Sequence, residues 1–431
     1  MYQAIVARIQ TRPHPNADRL QLGTVVGHQV IVGLDTADGT LGVFFPSDGQ
    51  LSALMCAAND LIGRINPDTG KHEGGFFAAN RRVRAQSFRG AKSDGYWTEL
   101  SALKWTGADL TILKDGDSFD SLNGQLVCEK YYTPATKRAM SQPQARKKRD
   151  LVFPEHVDTK QFRYFKDAIP ADAIVYVTEK LHGTSMRYGH VPEKLPNSWW
   201  KRLLGHEPTR TDWKHLNGSR HVVLKDDTDP GYYGTNTFRY DVTQNIVLHK
   251  GEILYGEIVG DVQAGQPIMT PQPVKDDVKH LRKEYGDTMR YTYGCAEGEH
   301  KMFVYRVTRI NEDGIEIDLS WPQVVQRCGE LGLQTVPLIA TCLARSANNN
   351  YPWLHFNHES QTWLAASGVS ALTTYTDYPS LLDGRHIREG VVFRIESCSG
   401  ITFLKEKSFA FKVLEGIIKD SDSYVDTEET A

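Results

Sequence analysis

The stretch from Tyr131 to Asp150, YYTPATKRAMSQPQARKKRD, constrains the fold most, because no packed layer can run through it. It has no apolar periodicity. Between Lys137 and Arg149 it holds six basic residues (Lys137, Arg138, Arg146, Lys147, Lys148 and Arg149) and no acid. Such a segment reads as a solvated linker. It divides the chain into a first domain over 1–125, a basic linker over 126–150 and a second domain over 151–431. That fits the two or three domains expected of 431 residues.

The two sides differ in pattern. In 1–125, short apolar runs such as QAIVARI, HQVIVGL and LGVFFP are broken by Gly, Asp, Asn and Pro, which predicts a small β-barrel. After 151, strand-like AIVYVTEK, EILYGEIVG and KMFVYRVTRI alternate with helix-like WPQVVQRCGELG, which predicts an α+β domain. The whole is therefore expected to be α+β and multidomain, with an acidic, frayed tail, DSDSYVDTEETA. A net charge of −3 means that nucleic acid must be met by local basic patches. Cys56, Cys128, Cys295, Cys328, Cys342 and Cys398 form no CxxC pair, against a structural zinc site or a disulfide framework. The start, MYQAIVARIQTRPH, lacks a signal-peptide core, and no run reaches the ~18–20 apolar residues of a membrane span. A cytoplasmic protein without a membrane partner is expected.

The chemistry centres on VTEKLHGTSMRYG, residues 177–189. Lys180 stands three positions before Gly183, with His182 between them and Thr184 and Ser185 after. A lysine beside a tightly turning backbone is either a nucleophile facing a phosphate or a surface turn. Other stretches supply matching parts: Arg220 in GSRHVV, Glu257 in ILYGEIVG and Glu389 in REGVVFRI. Strand alternation puts Phe303 and Tyr305 on one face, and Lys405 and Lys407 on another. Together they could handle a nucleoside triphosphate. An amine that attacks phosphorus must be neutral, and at an ordinary pKa of about 10.4 only roughly 4 lysines in 10,000 are neutral at pH 7. Lys405, Lys407 and a bound metal would lower that pKa and offset phosphate charge. Magnesium keeps several waters, so Glu389 and Glu257 suffice as ligands, while Phe303 offers a purine a stacking face. His182 has no metal-ligand partners at suitable spacing and reads as part of the turn.

The order KLHGTS, SR, YGEIVG, FVYRV, EGVVFR, LKEKS resembles motifs I, Ia, III, IIIa, IV and V of the covalent nucleotidyltransferases. These are the ATP-dependent polynucleotide ligases and mRNA capping enzymes. Histidine within KLHG is similar to the nick-sealing RNA ligase 2-type enzymes. The resemblance implies ATP and Mg2+ or Mn2+ as cofactors, with Lys180 as the lysyl-AMP nucleophile on the Gly183 turn. It implies ribose or 3′-end contacts from Arg220 and Glu257, adenine stacking by Phe303 and adenine reading by Glu179. Glu389, with Glu257, would hold metal, and Lys405 and Lys407 the AMP phosphate. An insert, PEKLPNSWWKRLLGHEPTRTDWKHLN, separates motif I from Arg220 by more than is usual. Its Trp199 and Trp200 are expected to pack the insert. The chain ends soon after motif V, leaving no room for the C-terminal barrel of DNA ligases and capping enzymes.

In the first domain, HPNADRL, FFPSDGQLS and SFRGAKSDGYW resemble the tRNA-binding OB barrel of some synthetases and their cofactors. The same kind of module precedes the ligase domain in the fifth class of RNA ligases. There Arg89 and Lys92 would meet phosphates and Tyr96 or Trp97 would stack on a base, while His14 packs its loop. The expected protein is an ATP-dependent RNA ligase that seals 3′-OH/5′-phosphate breaks in nicked duplex RNA or an RNA/DNA hybrid, with no obligate protein partner. A DNA ligase and a catalytically silent structured-RNA binder are the alternatives.

Overall fold

The computed structural model describes residues 2–65, 67–70, 72–141, 152–165, 168–170, 172–204, 207–224, 227, 231–274, 279–344, 352–357, 362–367 and 376–419. The chain forms two compact units. One joins Met1–Lys137 to Val274–Glu284 and Phe409–Tyr424; the other takes Arg138–Pro273, Tyr285–Ser408 and Val425–Ala431.

In the first unit the LGVFFP run is a strand, Leu41–Pro46, buried along nearly its whole length. It sits between Gly95–Glu99 and Ala4–Arg8, with Ser118–Phe119 beyond, in a four-stranded antiparallel sheet. Successive side chains leave a strand on opposite faces. Phe45 therefore joins Val6, Met55, Leu103 and Val127, whereas Phe44 joins Ile9, Val30 and Trp97. A second sheet holds Gln10–Pro13, Leu20–Val25 and His28–Gly33. Among the described residues no sheet closes on itself, so the strands expected to form a barrel are shared between separate small sheets.

The linker also departs from expectation. Pro134–Ser141 is a helix, started by Thr133, whose hydroxyl accepts from Thr136 N at 3.1 Å, with Pro134 in the first position. Arg146, Lys147, Lys148 and Arg149 lie outside the described residues, as does the acidic tail from 420. The boundary at the far end moves as well. The helix Phe409–Ile418 belongs to the first unit, where Lys412 Nζ reaches Asp94 Oδ2 at 2.5 Å and Arg82 Nη1 donates to Gly416 O at 2.8 Å.

Among the described residues the second unit carries two large sheets beside two small two-stranded ones. The first runs Lys160–Gln161, Gly400–Lys407, Gly390–Ser397, Ile174–Lys180, Leu338–Leu343. The second follows the path Thr209–Gly218, Thr184–Pro196, Glu252–Gln263, His300–Ile310, Glu316–Asp318. Ile174–Lys180 lies between two antiparallel partners, which is why IVYVT reads as a continuous apolar run. No helix among the described residues is long and apolar enough to cross a membrane.

Candidate active site

Lys180 ends the strand Ile174–Lys180, and the chain turns at Leu181–Gly183 into Thr184–Pro196 of the other sheet. The turn is tight because a Cβ on Gly183 would stand 2.3 Å from the Ile258 carbonyl oxygen, so only glycine allows the approach. Tyr293 fixes the same turn, its hydroxyl accepting from His182 N at 2.6 Å. Burial pushes that phenol well above its ordinary pKa, which keeps it neutral. Arg239, itself buried, donates to Ser185 O at 2.6 Å and to Thr184 Oγ1 at 2.7 Å, pinning the start of the next strand.

The register then brings the motif residues together. Lys180 pairs with Gly390, Val392 with Lys405, Gly390 with Lys407, and Ser185 with Glu257. Glu389 is fully buried and lies 2.7 Å from Lys180 Nζ; Lys407 Nζ is 3.7 Å from the same carboxylate, and His182 Nδ1 is 3.6 Å from it. Lys180 thus shares the Glu389 anion with Lys407, one of the two cations the sequence suggested beside it. A carboxylate at this distance favours the ammonium form.

An open cavity adjoins the lysine, with an empty volume of about 980 Å³ including solvent at its mouth. Lys180, Glu179, Arg220, Glu257 and Lys405 all line it, whereas Lys407, Glu389 and Gly183 do not. Glu179 is buried and its Oε2 accepts from Leu381 N at 2.8 Å. Burial raises its carboxyl pKa, opposed in part by Arg388, Ser380 and Leu381. Arg220 is held by Asp158 at 2.5 Å, and that hydrogen bond draws the Asp158 carboxyl below its ordinary range.

Two aromatic expectations need correction. Phe303 is 2% exposed and does not line the cavity; Tyr305, two residues on, does. Tyr305 bonds through its hydroxyl to His156 Nδ1. Burial, with Arg187, Arg220 and Arg306 nearby, holds His156 well below its ordinary pKa and therefore neutral. Trp97 is 5% exposed and donates Nε1–H to Ala7 O at 3.3 Å, so it is core and presents no stacking face. Tyr96 is half-buried and packs against Phe45, Phe76 and Phe77.

The first unit does expose Arg89. It forms with Gly90 the two-residue turn between Gln86–Phe88 and Ala91–Ser93, both with positive φ (47° and 83°). Lys92 is exposed and its Nζ sits 5.0 Å from the Phe409 ring centre. His14 packs its loop, with Nε2 3.3 Å from Phe88 O.

His156, Tyr305, Tyr293 and Arg239 were not singled out as site residues. Only Tyr305 carried a signal, its alternation with Phe303, and alternation cannot say which of two same-face rings meets the cavity.

The whole chain shares its fold with solved structures of a Naegleria gruberi RNA ligase. A point mutant with AMP and Mn matches at 14% identity and TM-score 0.53, over 98% of this chain and 99% of that one. The same ligase with PPi matches at 14% identity and TM-score 0.52, over 97% and 99%. An apo mutant matches at 15% identity and TM-score 0.52, over 97% and 98%. No curated protein matches. The RNA ligase family model matches residues 173–414, more than half the chain, from the strand carrying Lys180 to the helix beyond Lys407, and the chain belongs to that RNA ligase family.

Proposed function

We propose that the protein is an ATP-dependent RNA ligase that seals 3′-OH/5′-phosphate breaks, with nicked duplex RNA or an RNA/DNA hybrid as substrate. The observation that carries this reading is Lys180 at the edge of a cavity whose walls hold Lys405, Arg220, Glu257 and Glu179. Cations at such a wall suit a triphosphate. Lys180 Nζ, once deprotonated, attacks the α-phosphorus of ATP; the N–P bond forms as the bond to pyrophosphate breaks. AMP passes from Lys180 to the 5′-phosphate, and the 3′-OH then displaces it. Lys405 and Arg220 would offset charge on the moving phosphate, Glu179 would meet the adenine, and Tyr305 takes the stacking role expected of Phe303.

The donor set suits a hard divalent cation. Glu257 and Glu389 offer oxygen only, and among the described residues no cluster of three or more His, Cys, Asp or Glu is arranged to enclose a metal. Mg2+ or Mn2+ keeps several waters and needs only one or two carboxylates. Bound there, it would offset the Glu389 charge that favours the Lys180 ammonium.

The motifs HPNADRL, FFPSDGQLS and SFRGAKSDGYW in the first unit support an OB-type RNA-binding role of the kind found in the fifth class of RNA ligases. Incubation with α-labelled ATP tests the catalytic reading: an active enzyme gains a covalent, alkali-stable and acid-labile label, as an N–P bond requires, and releases pyrophosphate. Absence of label would leave a silent RNA binder. A panel of nicked duplexes with either strand end exchanged for DNA separates an RNA from a DNA ligase.

A further inference from the structure

The strands Thr184–Pro196 and Thr209–Gly218 pair without a break from Arg187 with Gly218 to Pro196 with Thr209. The neighbouring strand accompanies them only as far as Gly189, opposite Ile253. Past that point the hairpin continues as a two-stranded arm. Ser185 lines the cavity, and Pro196 lies about 35 Å further along the strand at roughly 3.3 Å per residue. That is the length of roughly ten nucleotides at 3.4 Å each.

One face of the arm is anchored, with Val191 and Leu216 in a core cluster beside Phe153 and Ile253. Alternation gathers Tyr188, His190, Trp213 and His215 on the other face. Their rings form a row: Tyr188 to His215 at 5.7 Å, His215 to His190 at 4.1 Å, His190 to Trp213 at 5.9 Å. Tyr188, buried with its hydroxyl donating to Ile246 O, is the packed end of the row, and the open rings are half-buried His190 and Trp213 with exposed His215. Lys250 Nζ stands 5.8 Å from the Trp213 ring, and Lys194 is exposed on the same face.

At the tip, in the short helix Trp199–Leu203, Trp199 and Trp200 stack on each other at 3.8 Å and are 60% and 61% exposed. Leu203 and Leu204 are exposed beside them. These tryptophans were expected to pack the insert, and they do not. Large apolar side chains grouped in water mark a docking surface. The arm is also locally basic: Lys194, Lys201, Arg202, Arg210 and Lys214 outnumber Glu193, Glu207 and Asp212, in a chain of net charge −3.

We propose that this arm is a stacking surface for single-stranded RNA that extends from the duplex holding the break, along which that strand lies beyond the cavity. Its open rings meet bases and its basic residues meet phosphates. The proposal rests on the ligase reading. Aromatic rings interleaved with basic residues are what a strand requires, since every base has a π-face. A membrane would engage the tip alone and leave the ring row unused.

The test uses the full-length protein and its Trp199→Ala/Trp200→Ala double variant. Binding is measured by anisotropy on nicked RNA duplexes that carry a single-stranded RNA tail of about three nucleotides (the short duplex) or about fifteen (the long duplex), spanning the estimated reach. Stacking of about 1–3 kcal/mol per base corresponds to a five- to 150-fold weakening on the long duplex. The short duplex should bind both proteins alike, and Trp199→Phe/Trp200→Phe should restore long-duplex affinity. RNA should also quench the native tryptophan fluorescence by an amount that the alanine variant loses. Equal long-duplex affinity for the two proteins would overturn the proposal, as would tryptophan quenching by anionic phospholipid vesicles and none by RNA. Covalent AMP labelling is followed in parallel. Its loss in the native protein would sink the ligase reading, whereas the binding result still decides the arm.

Discussion

At the scale of single residues, Lys180 and Gly183 do different work and should fail differently. Lys180→Ala removes the proposed nucleophile but leaves the wall of Lys405, Arg220 and Glu257 in place. The variant should take no label from ATP yet still seal a pre-adenylated 5′ end, because that step needs no lysyl bond. Label on the variant would end the assignment. Lys405→Ala, which deletes one cation from the wall, should slow labelling by about a hundredfold, as loss of a single charge-stabilising donor commonly does. Gly183→Ala is a backbone lesion: the added carbon meets Ile258 O at 2.3 Å, so the strands on either side of the turn must part. It should cost about 1–3 kcal/mol in denaturant melts and reduce both labelling and sealing. Lysine, glycine and the strand carboxylates were legible because their chemistry is tied to residue type. Phe303 and Trp97 were not, because an aromatic on a strand looks the same whether its face is packed or open.

At the scale of elements, the helix Trp321–Glu330 shows how the sheet behind the site is secured. WPQVVQRCGELG read as helix-like in the sequence, and in the structure Ser320 and Gln323 form a capping box at its start with proline just inside. Its long-range anchor was not legible, since nothing near Arg327 announces Glu252. Glu252 begins the strand that carries Glu257; it is fully buried and takes Arg327 Nε at 2.7 Å and Nη2 at 2.9 Å. Burial alone would raise the Glu252 pKa, but the Arg327 hydrogen bonds and the His249 N–H outweigh it, and the net shift is downward. A carboxyl whose folded pKa is depressed adds stability above its unfolded pKa of about 4.3 and loses it as pH falls through the folded value. Melting temperature should therefore drop on acidification below about pH 4, and Glu252→Gln should flatten that drop. Arg327→Leu strands a buried anion and should cost about 3–5 kcal/mol at neutral pH. A variant that melts like the native chain at pH 7 would show the pair to be dispensable.

At the scale of the whole molecule, the sequence suggested a cut near 150 with everything after it in one domain, and the chain does not divide that way. The linker was expected from its charges and its lack of apolar pattern, but apolar pattern cannot say which core a later helix joins. Phe411 and Leu414 are fully buried in a helix of the first unit, where Lys419 adds ion pairs to Asp48 and Glu415 at 3.4 and 3.0 Å. Removing residues 1–150 uncovers these side chains, each worth about 1.5–3 kcal/mol of burial. A 151–431 fragment should therefore aggregate. A fragment of 151–408 keeps Lys405 and Lys407 and sheds the helix, leaving only Val274–Glu284 of the first unit, so it should aggregate less than 151–431 and retain AMP labelling. The two fragments also separate substrate holding from chemistry. Binding that neutralises phosphates falls with salt by a log–log slope of about 0.9 per phosphate on duplex. If the turn at Arg89 and the neighbouring Lys92 each hold one phosphate, Arg89→Ala/Lys92→Ala in the full chain should make the slope shallower by about two. AMP labelling, which involves no duplex, should be unchanged in that variant. A double variant with the native salt slope would remove the first unit from the list of phosphate contacts, whatever the 151–408 fragment does.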